Sequence, residues 1–120
     1  MKIKTAIIIL FFMAIMIGCT PKSQLLNIPD ITLNKEFIIK HTDTTKNIFS
    51  IHLVFKGEID GNALIILKDG VNYSKEYKLE RGKVDFNIDT DWYNTKCIIG
   101  YAPQDVTSGK LVVEYKFYEQ

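Results

Sequence analysis

The densest grouping of oxygen-bearing side chains lies in the run DFNIDTDWYNTK, where Asp85, Asn87, Asp89 and Asp91 recur at every second position. Hard cations such as calcium require oxygens of this kind. Laid on the EF-hand loop, the run places Thr90 where glycine must allow the sharp turn, and Lys96 where a bidentate glutamate must close the shell. A period of two is also the period of a β-strand. The four residues therefore read first as the solvent face of a strand entering an acidic turn, with calcium the weaker reading and no cofactor expected. Trp92 and Tyr93 follow directly. Exposed, they would form a platform for stacking a sugar or a peptide; packed, they would close the open end of a sandwich. Packing is the expectation, because large rings are mostly core.

Other reactive types are sparse. His41 and Asp43 stand two apart at a strand end beside Thr42, Thr44 and Thr45, and His52 shares the polar parity of a strand with Ser50. A nucleophile needs a base within hydrogen-bond reach and a third group to orient that base. No G-x-S-x-G, H-E-x-x-H or paired-carboxylate motif points to such an assembly, so a non-catalytic protein is expected. Cys97, in KCIIGY, reads as a small buried hydrophobe. A reactive thiol is the lesser alternative.

These residues must be positioned by strands. In IFSIHLVFK, Phe49, Ile51, Leu53 and Phe55 share one parity. In VDFNID, Val84, Phe86 and Ile88 alternate with polar residues, and LVVEYKFYE repeats the pattern with Leu111, Val113, Tyr115 and Phe117. EFIIKH and KCIIGY are shorter candidates. ALIIL is apolar on both parities, which predicts a central strand covered on both sides. Asp69-Gly70 predicts a two-residue type I′ hairpin into VNYSKEYKLE. There Lys75 falls on the apolar parity, through either a bulge or a snorkelling stem. About seven strands with turn signals between them predict a single all-β antiparallel sandwich over residues 31–120.

The amino-terminal segment has a different character. AIIILFFMAIMIGCT follows Lys2 and Lys4, and its residues Ala6 to Ile17 carry no polar side chain. Twelve helical residues reach about 18 Å, against a hydrocarbon core of roughly 30 Å, so a signal segment fits better than a membrane span. Met16-Ile17-Gly18-Cys19 resembles the lipobox of bacterial lipoproteins. The resemblance implies a signal peptide over residues 1–18, cleavage before Cys19 and acylation of that cysteine, with residues 19–30 as a lipidated, extended tether. Several acyl chains hold a membrane stably, where one would be marginal. The resemblance also implies residence in the cell envelope. Thr20 in place of aspartate looks compatible with outer-membrane delivery in a Gram-negative host; in a Gram-positive host the protein would sit on the outer face of the single membrane.

Without residues 1–18 the chain keeps 13 Lys and Arg against 14 Asp and Glu, a net charge of −1. Nucleic acid is not an expected partner, since its binders carry a basic surface. The segment DWYNTKCIIGYAPQDVTSGKLVVEYKFYE is similar to C-terminal pieces of small exported bacterial proteins without assigned roles, which carries no site residues across. The expectation is thus a lipid-anchored sandwich, held in the membrane through Cys19, that binds an envelope protein or ligand or supports an envelope complex. The alternative is an immunity or inhibitor lipoprotein that blocks a toxin or hydrolase acting in the envelope.

Overall fold

In the computed structural model, which describes residues 23–42 and 47–119, the chain is all-β. The signal segment, Cys19 and Asp43 lie outside the described residues. Among the described residues there are eight strands: β1 Gln24–Asn27, β2 Lys35–Lys40, β3 Ile48–Ile59, β4 Ala63–Lys68, β5 Ser74–Leu79, β6 Gly82–Asp91, β7 Lys96–Pro103 and β8 Gly109–Glu119. They form two antiparallel four-stranded sheets, ordered β1-β8-β3-β6 and β2-β7-β4-β5, that pack as a sandwich.

Alternation decides which side of each strand is buried. Ile51, Leu53 and Phe55 of β3, Val84 and Ile88 of β6, and Leu111 and Val113 of β8 meet Ile65 and Leu67 of β4 and Cys97, Ile99 and Tyr101 of β7 in one core. Tyr77 and Phe86 touch edge-on across the two sheets, with ring centroids 5.9 Å apart. Only β4 and β5 are consecutive in chain and neighbours in a sheet; the other connections cross between sheets at the two ends of the sandwich. One end carries the Asp60–Asn62 turn and the 104–108 loop, and the other the 69–73 and 92–95 loops. We call them the Asp60 end and the Trp92 end.

The Asp60 end is held by side chains acting on backbone. The Asp60 carboxylate accepts from the Thr107 and Ser108 amides at 2.7 and 3.0 Å and from both hydroxyls. Those bonds, Thr107's foremost, hold its carboxyl far below the ordinary carboxylate range. Nearby, the buried Tyr101 hydroxyl donates to the Ile31 carbonyl at 2.7 Å, tying the β1–β2 connection to the core.

Several expectations are corrected. The folded body starts before Ile31, because Gln24–Asn27 pairs with β8 from Gln24↔Tyr115 to Asn27↔Val112 and supplies the eighth strand. Asp69-Gly70 is not a two-residue turn. Lys68 pairs with Ser74, so five residues form the loop, and Gly70 has φ +88° while Asp69 is not left-handed. The Asp69 carboxylate accepts from the amides of Val71, Asn72 and Tyr73, which organises a wider loop than a type I′ turn allows. Phe49 faces outward, since a register shift between Ile48 and Ser50 rotates the strand and buries Ile48 instead. β4 is central, but only one of its faces is covered: Leu64 and Ile66 are half-exposed. Lys75 needs no bulge. It lies on edge strand β5 with its ammonium over the Tyr77 ring, 5.3 Å from the centroid.

Two buried groups set an alkaline limit. Burial pushes the Cys97 thiol from 9.0 to about 12 and, with help from Asp30 and Asp60, the Tyr101 hydroxyl from 10.0 to about 12. The folded chain thus favours both neutral forms, so their contribution to stability is complete below pH 9 and is lost as pH rises from 9 toward 12. Urea midpoints measured across that range should fall. Tyr101→Phe and Cys97→Ala should each flatten the fall, and an equally steep fall in the double variant would refute the assignment.

Candidate functional site

On strand β6, Asp85, Asn87, Asp89 and Asp91 are all exposed on the outer side of its sheet. Strand geometry spaces successive members about 6.6 Å apart along the chain, whereas calcium gathers its oxygens at about 2.3–2.6 Å. Their cross-strand neighbours on β3 are Lys56, Val54, His52 and Ser50. Asp85 lies opposite Lys56, and Asp89 lies opposite His52, which in turn lies opposite Lys116. The His52 Nδ1 is 3.9 Å from the Asp89 carboxylate. This sheet face is a mixed-charge, solvated surface. Among the described residues no three His, Cys, Asp or Glu side chains converge as metal ligands would.

The two aromatic candidates separate. Trp92 is 4% exposed; its indole N–H donates to the Lys96 carbonyl at 3.0 Å, and its ring meets Tyr73 edge-on at 5.6 Å. Tyr93 is 77% exposed. Alternation past the end of β6 turns one ring in and the next out, so no flat two-ring platform forms. A hollow of about 420 Å³ lies beside them, lined by Asp69, Tyr73, Thr90, Asp91, Trp92, Tyr93 and Asn94. Asn94 accepts from the Lys96 amide, so part of its polar capacity is already used in the loop.

The histidines are placed apart. His41 Nε2 lies 2.7 Å from a Glu119 carboxylate oxygen, a pairing across 78 residues that no local spacing reveals. Its ring also leans on Phe117 at 5.7 Å. Ser50 and His52 are two residues apart on one strand face, about 6.6 Å along the chain, too far for a direct nucleophile–base bond.

A surface that sequence reasoning missed lies on the outer face of the β2-β7-β4-β5 sheet. Ile38 on edge strand β2 is 59% exposed and pairs with the half-exposed Ile98; Ile66 and Leu64 continue the apolar band on β4. Between them Gly100 supplies no side chain, and a Cβ there would meet Ile66 at 3.4 Å. The result is a shallow hollow of about 380 Å³ lined by Glu36 and Lys68, whose ion pair spans β7 between the Ile38–Ile98 pair and Ile66. The double-parity apolar pattern of ALIIL and KCIIGY was its only trace in the sequence.

The two outer faces thus differ in kind: one carries charges in most rows with Val54, Val112 and Leu25 among them, and the other carries Ile38, Ile98, Ile66 and Leu64 with the Glu36–Lys68 ion pair spanning β7 among them. Compared with known proteins, the chain matches no family model and no curated protein.

Proposed function

We propose that the protein is an envelope lipoprotein, anchored through acylated Cys19, whose sandwich binds another envelope protein rather than catalysing a reaction. The observation that carries the binding half is the apolar band of Ile38, Ile98, Ile66 and Leu64 on a sheet face that nothing in the chain covers among the described residues. Exposed apolar side chains interspersed with charged ones, here the Glu36–Lys68 pair, suit a protein contact. β2 also runs along the sheet edge, where an extended segment of a partner can add a strand. That edge favours, as a second reading, an inhibitor or immunity protein that captures one toxin or hydrolase.

The test is site-specific photocrosslinking of the full-length protein in its host, with the probe at Ile38 or Ile66, and at Asn87 on the charged face as control. The expected result is a discrete adduct from the first two positions and none from the third. Identical adducts from all three, or none from any, would reject this face. An envelope-complex component in the adduct supports the first reading, and a single toxin or hydrolase the second. The anchor is tested separately. Cys19→Ser should abolish labelled palmitate incorporation and release the protein from the membrane fraction; continued labelling and membrane association would refute lipidation.

A further inference from the structure

The chain leaves the sandwich close to the Trp92 end. Gln24 lies opposite Tyr115, and Glu119, which ends β8 there, is four residues farther on. At about 3.3 Å per residue that is about 13 Å of sheet between Gln24 and the end. Ser23 is still fixed to the sheet, its hydroxyl donating to Glu114 at 2.7 Å. From Gln24 back to Cys19 the chain covers five residue steps, at most about 17 Å when fully extended. The backbone of Cys19, which would bear the acyl groups, can therefore reach only about 4 Å past the last pair of β8, before counting the loops that project beyond the strands. Such a leash does not let the domain stand away from the bilayer.

The loops at that end have the composition of a membrane contact. Val71 is 84% exposed in the 69–73 loop and Tyr93 is 77% exposed in the 92–95 loop, two of the largest exposures among the apolar side chains. The acid of the first of these loops, Asp69, has its carboxylate turned to the amides of that loop. Lys40 and Lys96, cross-strand neighbours at the same end, and Lys75 at the start of β5 supply cations. Exposed acids are present too, in Asp91 and Glu119. An aliphatic tip, a phenol and lysine ammonium groups suit the interfacial layer, where an aromatic ring with a polar end and cations near anionic headgroups are both favourable.

We infer that the Trp92 end of the sandwich docks on the lipid bilayer, with Val71 and Tyr93 in the interfacial layer. The inference rests on the proposed acylation of Cys19. Docking leaves the apolar band of the β2-β7-β4-β5 sheet upright on the membrane, open to a partner from the side. It also gives the hollow beside Tyr93 a floor of lipid headgroups.

The experiment uses the full-length acylated protein reconstituted into vesicles of phosphatidylethanolamine and phosphatidylglycerol. Val71→Cys, Tyr93→Cys and, as the control at the Asp60 end, Leu33→Cys are each labelled with the fluorophore NBD. Leu33 is 59% exposed, and Cys97 is buried and so stays unlabelled in the native state. Quenching by spin-labelled lipid is expected to be several-fold stronger at positions 71 and 93 than at 33, with blue-shifted emission and protection from iodide at the first two. Acylated protein that floats with the vesicles while all three probes report the same aqueous surroundings overturns the docking and leaves the anchor intact. Failure to incorporate labelled palmitate at Cys19 overturns the anchor, and the docking with it.

Discussion

Gly57→Ala is expected to lower the stability of the fold by about 3 kcal/mol or more, through backbone strain and displacement of a neighbouring strand. Gly57 has φ +148°, and a Cβ built there would overlap the Lys110 carbonyl oxygen. Across the same pair of strands Gly109, at φ +136°, approaches the Glu58 carbonyl in the same way. β3 and β8 are the long central partners of their sheet, paired from Ile48↔Glu119 to Ile59↔Gly109. A methyl group on either glycine must push these strands apart at that point. No flexible side chain can give way, because the obstacle is backbone. Equilibrium unfolding in urea should show a midpoint lowered by about 1–2 M for a domain of this size. A midpoint within experimental error of the parent would show that the strand pair tolerates the methyl group.

A loss of similar size is expected from Trp92→Ala, about 3–5 kcal/mol, since the residue is a large buried ring whose removal leaves a cavity. Three attachments fail together. The ring contact with Tyr73 disappears, the Lys96 carbonyl loses its donor, and the 92–95 loop loses the weight that holds it against the sandwich. Trp92→Phe should fall between the parent and the alanine variant, because it keeps most of the apolar volume and loses the N–H. The sequence contains one tryptophan, so intrinsic fluorescence reports on this site alone. The native protein should emit at blue-shifted wavelengths and resist iodide. A stability change within about 0.5 kcal/mol for the alanine variant, as for most surface positions, would mean the ring is free to meet a ligand.

Much of the architecture was written in alternation. Val84, Phe86 and Ile88, or Leu111, Val113 and Phe117, announce a strand with one buried face because a period of two leaves no other amphipathic solution. β1 was illegible for the opposite reason. In Gln24-Leu25-Leu26-Asn27 only Leu26 packs against the core, and the strand exists because β8 offers it an edge. Phe49 misled because a one-residue register shift reverses every face beyond it, and nothing local announces the shift. The five-residue loop after β4 depends on where the Asp69 carboxylate points, which is a matter of three dimensions. At the candidate site, the sequence identified Trp92 and Tyr93 as rings worth following but could not say which would be exposed, since that turns on where β6 ends. The apolar band over Gly100 is legible only once β2, β7 and β4 are known to lie side by side, because its members come from three distant segments.

Cys97 gives this fold an internal record of its own opening. The thiol is fully covered in the core, held protonated by that burial, and is the only cysteine among the described residues. In oxidising surroundings a lone cysteine on a surface would join molecules through disulfides; this one is shielded for as long as β7 keeps its neighbours. Chemistry at the sulfur therefore requires the strand to come away first. A trace of alkylating reagent, left with the protein without denaturant, would mark each molecule at the moment it opens. The slope of that labelling with time would measure how long a native molecule persists, a lifetime that midpoints in urea do not report.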